Sequence, residues 1–540
     1  MSTLKFMITP HADVELFIKR EPIDYYVSIP SSGVTNDTGV ILSIPGFGGL
    51  ADSEYYSQKL NPYLAEKYNC IVVSINYFGI HRKGLMYLDD SFKGSMEKLY
   101  HTPISYWDNI TTDVELKKRI VKVLESKDMQ SLDPRCQILR ITERNEYQSF
   151  GFLPALDCLT VLGDIFKRFS QVNKQKVIAY GSSYGGYIAM LCGKFAPNTF
   201  SVIIDNSGFS RAEINFMVGR EIMKSDFVMY EVQDEKVYSI SCAYNNPWTI
   251  LDETSKFYLS DSHKLIRSLL VGEHRISSET RYYHFHCEQD HIASIEDKDK
   301  AIILLKRYNP TFYKRVAQGD IDGVLFKKYG HAMDASLRKL FDYVAELDAG
   351  SQLLKPTPTN EFVDNDTRVF NCGEKDYLFS YKNDFSLEVK IESRVKRIDY
   401  SHNDALELSN ESKVEAEYPP MKLQRLLGQL KRVSDSILDS LGFVISKVEQ
   451  DEIEPTKQVM QEIIDAYLLI MSQLESFQEK LQLDEISILN DEIIQLFTVV
   501  ILSYNNHDSY KLKQVLSQQL YKLVVDWKTE LDKMLEPYVI

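Results

Sequence analysis

No uninterrupted apolar run in this sequence reaches the roughly 18 residues that a membrane-crossing helix needs, so no membrane span is expected. The opening residues, Met1-Ser2-Thr3-Leu4-Lys5-Phe6, lack a basic stretch followed by an apolar one, and no signal peptide is expected. Cysteine is sparse and unpatterned. Cys70, Cys136, Cys158, Cys192, Cys242, Cys287 and Cys372 form no Cys-x-x-Cys pair, which reads as reduced thiols of a cytoplasmic protein. There is no basic stripe with interleaved aromatics, and a net charge of −15 repels phosphates, which argues against a nucleic-acid partner. No repeat of solenoid type is visible.

What is present is a soluble, globular composition, 44% hydrophobic and 26% charged, over 540 residues, more than one ordinary domain holds. Its organising stretch is Lys176-Val177-Ile178-Ala179-Tyr180 followed by Gly181-Ser182-Ser183-Tyr184-Gly185 and a helix-compatible run. A buried strand, Gly-x-Ser-x-Gly, then a helix is the sequence form of a nucleophile elbow, with Ser183 on a strained tight turn. Gly181 and Gly185 suit a turn that brings neighbouring backbone too close for a Cβ.

Around that stretch, strands alternate with helices. Residues 13–19 and 23–29 read as a hairpin of edge strands, and 39–44 and 70–75 as buried strands. Helical periodicity marks 54–67, 112–126 and 154–170, with a surface excursion around Pro134. Strands at 201–204, 282–287 and 311–328, with helices at 296–308 and up to Leu347, continue the pattern. Such alternation predicts an α/β fold with a mostly parallel sheet, whose ligand lies beyond the carboxyl ends of the strands. Residues 206–278 break the rhythm and are expected to form a cap over those ends. The expected division is a catalytic domain at 1–348, a linker and small strand-rich module at 349–415, and a helical bundle at 416–540. The bundle rests on stripes such as Leu423, Leu426, Leu430, Val433, Ile437, Leu441, Val444 and Val448, with Asp508 as an N-cap.

A serine hydroxyl needs a positioned base, itself oriented by a third group. On this kind of sheet the chain order is serine, acid, histidine. Ser183, Asp290 and His331 supply it, each at a strand end or in a turn. Asp205 is the runner-up acid. His284 and His286 alternate with aromatics in a strand and read as packed, His291 precedes the last βα unit, and His81 comes too early. His-x-His at 284–286 lacks a third ligand, so neither metal nor other cofactor is expected. The oxyanion donors are expected to be the N–H groups of Tyr184 and of Phe47, in Pro45-Gly46-Phe47-Gly48-Gly49. That loop lacks the Lys-Ser/Thr ending of a phosphate-binding loop.

Residues 1–348 resemble the α/β-hydrolase superfamily. Ser183-Tyr184-Gly185-Gly186-Tyr187 is similar to the serine motif of the prolyl oligopeptidase group, and Asn76-Tyr77 falls where that group often has Asn-Tyr-Arg. Phe78 replaces the arginine, and no propeller fits before Val40, so peptidase activity is not expected. More closely, Pro45-Gly46-Phe47-Gly48, Gly181-Ser182-Ser183-Tyr184-Gly185-Gly186 and Gly330-His331-Ala332-Met333-Asp334 look like a bacterial hydrolase-fold family of unknown function, often encoded near flagellin-glycosylation genes. That resemblance implies the triad and a cytoplasmic role in modifying acyl groups on sugars or flagellin. The last helix, with Leu516, Leu520, Leu523 and Trp527, is loosely similar to helical flagellin-export chaperones, which implies a protein partner for the bundle. The expected activity is an esterase or deacylase acting on a small-molecule or glycan acyl ester. Acyl transfer by the same triad, or a partner-binding chaperone, are the alternatives.

Overall fold

A computed structural model describes residues 3–80, 84–110, 112–142, 144, 146–222, 224–233, 236–347, 357, 359–394, 420–475, 484–505 and 508–535. His81, most of the expected linker and residues 395–419 lie outside the described residues. The chain forms two compact units, Met1–Asp399 and Tyr400–Ile540.

In the first unit, twelve strands make two sheets: β1 (Leu4–Ile8), β2 (Ile23–Ser28), β3 (Gly39–Ile44), β4 (Cys70–Asn76), β5 (Gly84–Tyr87), β6 (Ile138–Thr142), β7 (Val177–Ser182), β8 (Val202–Asn206), β9 (Phe227–Gln233), β10 (Lys236–Tyr244), β11 (Arg281–Cys287) and β12 (Thr311–Val316). The larger sheet runs β1-β2-β4-β3-β7-β8-β11-β12. Its β1/β2 and β2/β4 pairs are antiparallel and the rest are parallel.

Every residue of β3, β4 and β8 is buried, as strands covered on both faces require. Alternation sorts their side chains. Val40, Leu42 and Ile44 pack with the helices Phe152–Arg168 and Tyr184–Phe195. Ile41 points the other way, with Leu64 of the helix Asn61–Tyr68 and Phe341 of the helix Leu337–Leu347. The periodicity read from the sequence is that of the two layers.

Residues 13–19 are not a strand. The Asp13 carboxylate accepts the N–H groups of Glu15 at 3.1 Å and Leu16 at 3.0 Å, and Phe17 is left-handed at φ 56. That local side-chain bonding satisfies the backbone that a strand would have offered to a neighbour. The partner of β2 on that edge is β1 instead.

The smaller sheet runs β5-β6-β10-β9 and is the cap. It is larger than the expected 206–278, because β6 pairs in parallel with β10. The helices Asp90–Tyr100 and Asp113–Ser126 pack on it through Phe92, Met96, Ile120, Ile138 and Ile240. Two excursions far apart in sequence thus share one core, which local patterns do not reveal.

β13 (Thr367–Cys372), β14 (Lys375–Tyr381) and β15 (Leu387–Ser393) form an antiparallel meander. These strands fall in the stretch expected to be strand-rich. Tyr377 meets Phe152 at 5.4 Å between ring centroids and Phe379 meets Phe195 at 4.6 Å, so it extends the main core.

The second unit holds the helices Pro420–Glu449, Thr456–Glu475, Asp484–Asn505, Ser509–Val515 and Tyr521–Leu535. Ile437, Leu441, Val444 and Val448 are buried as the stripe predicts; the side chains of Leu423, Leu426, Leu430 and Val433 lie outside the description. Asp508 caps its helix by accepting the Lys511 N–H at 2.9 Å. Among the described residues no helix is long and apolar enough to cross a membrane.

Candidate active site

Ser183 stands between the end of β7 and the helix Tyr184–Phe195, with φ 56 and ψ −127. A non-glycine residue held at positive φ is strained, and such strain gathers at functional sites. Packing over-determines it. A Cβ on Gly185 would sit 2.2 Å from the Ile44 carbonyl oxygen, and one on Gly181 would sit 2.2 Å from the Gly185 carbonyl carbon. Helix and strand meet too closely here for any side chain but hydrogen.

The Ser183 hydroxyl lies 2.7 Å from His331 Nε2. His331 Nδ1 lies 2.9 Å from Asp290 Oδ1 and 2.8 Å from Oδ2. The three predicted residues therefore form one hydrogen-bonded line, with 148 residues between the positions of Ser183 and His331 and 41 between those of Asp290 and His331. His331 is carried on a tight loop in which Ala332, Met333 and Asp334 are all left-handed, at φ 56, 54 and 43. Asp290 follows β11; its Oδ1 accepts the N–H groups of Ile292 and Ala293, each at 2.9 Å. Burial pushes the Asp290 carboxyl up, but its hydrogen bond and charge interaction with His331 and the Ala293 N–H outweigh this and hold it below the ordinary value.

The loop Pro45–Gly49 lies against the serine. A Cβ on Gly46 would be 2.7 Å from the Ser182 carbonyl oxygen and 3.4 Å from Ser183 Cβ. The Phe47 ring stacks on that of Tyr184 at 3.9 Å and 4°, so both expected oxyanion residues adjoin Ser183. Tyr184 is the first helical residue, where an N–H has no intrahelical acceptor.

The runner-up acid is engaged elsewhere. Asp205 Oδ2 lies 2.6 Å from Lys298 Nζ and 2.9 Å from His284 Nδ1, and its Oδ1 accepts the Gly208 N–H at 2.8 Å. Against the upward push of burial, Lys298 and His284 hold that carboxyl well below its usual range. His286 donates to the Ala293 carbonyl at 2.9 Å, inside the protein. Both strand histidines are fully buried, as their alternation with aromatics suggests.

Ser183 and His331 open onto a cavity of about 390 Å³, walled by Phe47, Phe209 and Phe216 and, from the cap, Phe227 and Tyr244. Two carboxyl groups that sequence reading passed over, Glu146 and Asp226, line it as well. Burial raises both to about 7; Gly79 N–H donates to Glu146 and Tyr244 N–H to Asp226, which limits the rise. No sequence signal marks either one, because an isolated acid near a turn looks like any surface charge. Asn206, which bonds to both the elbow and the histidine loop, was equally hidden beside Asp205. Among the described residues no cluster of three His, Cys, Asp or Glu suits a metal ion.

The strand order, with a serine on the turn after β7 and a histidine loop beyond β12, defines an α/β-hydrolase fold with a cap and additional C-terminal helices. Within that class, the chain belongs to the family described as "Protein of unknown function (DUF2920)", which matches residues 4–391. No curated protein matches it. Among solved structures, an arylesterase is 14% identical, with 65% of this chain and 83% of that one covered and a TM-score of 0.33. The acylaminoacyl peptidase of Pyrococcus horikoshii is 12% identical; 64% of this chain covers 41% of it, with a TM-score of 0.33. The esterase Est2 of Thermogutta terrifontis is 12% identical, with 64% and 97% covered and a TM-score of 0.33. Likeness at this level says nothing about activity.

Proposed function

We propose that the chain is a serine hydrolase that cleaves acyl esters. The observation that carries this is the unbroken line from Ser183 Oγ through His331 to the Asp290 carboxylate. His331 Nε2 takes the Ser183 proton as Oγ attacks the ester carbonyl, and the oxyanion lies against the N–H groups of Phe47 and Tyr184. The bond to the alcohol then breaks, and His331 returns the proton to the leaving oxygen. Water repeats both steps on the acyl-enzyme and frees the acid. Asp290 keeps Nδ1 protonated, so that Nε2 is the face that accepts.

The resemblance of residues 1–348 extends this reading to acyl groups on sugars or on glycosylated flagellin. A sugar hydroxyl in place of water makes the same machinery an acyltransferase, and the helical bundle suits a protein partner. The test is labelling with a fluorophosphonate probe, followed by a screen of short acyl esters with and without sugar acceptors. Ser183-dependent labelling, lost in Ser183→Ala, is expected; equal labelling of the two proteins, or none of either, sinks the hydrolase.

A further inference from the structure

Gln148 is held at both ends of its residue. Its N–H donates to Asn246 Oδ1 at 2.8 Å, and its carbonyl accepts the Trp248 Nε1–H at 3.1 Å. Asn246 in turn donates through Nδ2 to the Phe216 carbonyl at 2.9 Å. The side chain runs towards the elbow, where Oε1 accepts the Tyr184 hydroxyl at 2.9 Å and the Phe150 N–H at 3.0 Å. The chemistry of these partners fixes which end of the amide is which. A backbone N–H can only donate, so the atom facing Phe150 is the oxygen. The Tyr184 oxygen already accepts the Gly151 N–H at 2.7 Å, which leaves its own hydrogen for Oε1.

The nitrogen end of that amide is uncommitted. Gln148 lines the cavity over Ser183 and is 7% exposed. Its Nε2 has no acceptor among the described residues, and it is not one of the orphaned atoms shut inside the core. Phe47, Ile80, Phe209, Phe216 and Ile292 line the same cavity with apolar surface. A donor among such walls costs free energy while unpaired, and it gains a bond when a ligand brings an acceptor. Two bonds on Oε1 and two on the backbone hold the group still, so the direction of its N–H groups is set before any ligand arrives.

We propose that Gln148 is a specificity-determining residue, whose Nε2 donates to a second oxygen of the substrate, a hydroxyl or ether oxygen apart from the reacting carbonyl. This rests on the hydrolase reading for the ester and on the Gln148 amide for the second oxygen. Hydroxylated or alkoxylated acyl groups carry such an atom, as do polyol alcohols; plain alkyl esters do not. Through the Tyr184 hydroxyl the same amide is joined to one of the two oxyanion residues, so recognition and chemistry share one rigid piece.

The test uses the full chain carrying Ser183→Ala, so that esters bind without attack by that hydroxyl, and two pairs of probes matched in shape. 2-Methoxyethyl acetate and butyl acetate differ by an oxygen in place of a methylene on the alcohol side. Methyl methoxyacetate and methyl butyrate differ in the same way on the acyl side. Equilibrium titration is expected to show the oxygen-bearing member of one pair bound about fivefold more tightly, and that pair identifies the side on which Nε2 lies. Gln148→Glu keeps an oxygen for the Phe150 N–H and the Tyr184 hydroxyl but removes the donor, and is expected to abolish the preference. Gln148→Met removes the donor without adding charge and is expected to do the same. No preference in either pair overturns the proposal, as does the absence of saturable binding or a preference that survives either substitution. Far-UV circular dichroism shows that each variant is folded. Fluorophosphonate labelling of the chain with Ser183 intact keeps the two readings apart. A Gln148-dependent preference without labelling overturns the hydrolase and leaves the subsite; labelling without the preference does the reverse.

Discussion

The Asn206 carbonyl accepts the Ser183 N–H at 2.7 Å, so the residue that ends β8 holds the nucleophile from beneath. Its side chain reaches further. Nδ2 donates to Ser182 Oγ at 2.9 Å and to the Ala332 carbonyl at 3.2 Å, joining the elbow to the loop that carries His331. Asn206→Ala keeps the backbone bond and removes both side-chain bonds. The expected result is a loss of about 1–3 kcal/mol in stability, with the geometry between Ser183 and His331 loosened. Because a shift of about 1 Å at reacting groups costs up to about a hundredfold, kcat is expected to fall by at least about tenfold while KM changes little. Steady-state kinetics on an active ester checks this, and an unchanged kcat would refute the positioning role.

Asp290→Asn is expected to keep the fold and lose most of the activity. An amide at that position no longer compels Nδ1 of His331 to carry the proton, and the imidazolium formed during attack loses its counter-charge. Loss of the acid in such an arrangement lowers kcat by about 10⁴-fold. The wild-type carboxyl lies below its ordinary value of 3.8 in the folded chain. Its contribution to stability is therefore present above about pH 4 and is lost as pH falls through the lower folded value. A wild-type chain should show acid destabilisation in that range that the asparagine variant lacks, read from thermal unfolding between about pH 2 and 5.

Glu146 predicts the opposite slope. Its carboxyl rises from the ordinary 4.5 to about 7, chiefly through burial. Between those values the folded chain holds a proton that the unfolded chain releases, so stability falls as pH rises across that window. The full effect is on the order of 3 kcal/mol. Glu146→Gln, which still accepts the Gly79 N–H, should therefore gain stability over the wild type at pH 8 and differ little at pH 4.5. Unfolding temperatures of the two proteins at both pH values decide it; a difference that does not grow with pH refutes the assignment.

These sites divide into what was legible in the sequence and what was not. Ser183 and Asp290 were legible because each follows a strand whose apolar run announces itself, His331 because it lies in a Gly-His turn before a helix, and all three because chain order restricts which acid and base belong together. Phe47 was legible as the middle of a Gly-rich loop after a buried strand. The cap's second half was not, since β6 and β10 pair across about a hundred residues and neither is strongly patterned. Asp13 hid a failed strand, because a carboxylate folding back on its own backbone leaves no periodic trace. Glu146, Asp226 and Asn206 acquire meaning only from what faces them. Periodicity reports burial and direction; it does not report partners.

Gly185→Ala tests whether the elbow is packing-limited. The added methyl would meet the Ile44 carbonyl oxygen at 2.2 Å and the Pro45 carbonyl oxygen at 2.8 Å, both backbone atoms of a buried strand end. Backbone there has no room to retreat, because β3 pairs on both sides, with β4 and β7. Overpacking of this kind costs about 1–3 kcal/mol or more. The variant is expected to unfold at a lower temperature and to lose Ser183 labelling, since the same shift moves Phe47. Gly94, inside the helix Asp90–Tyr100, is the control: its Cβ would meet nothing within 4 Å, so Gly94→Ala should not lower the unfolding temperature and should leave Ser183 labelling unchanged.

Trp527 provides a test confined to the second unit. It is fully buried, its ring lies 4.7 Å from that of Tyr467, and its Nε1–H donates to Met471 Sδ at 3.3 Å. Trp527→Ala removes the largest fully buried side chain among the described residues and leaves a void between the helices Thr456–Glu475 and Tyr521–Leu535. Large-to-small changes of this kind cost about 3–5 kcal/mol. Trp527→Phe keeps most of the volume and should recover much of that loss. If residues 400–540 unfold as their own compact unit, a thermal scan should show one transition lowered and Ser183 labelling intact below it. A single transition that moves as a whole, with labelling lost alongside the helical signal, would mean that the two units melt together.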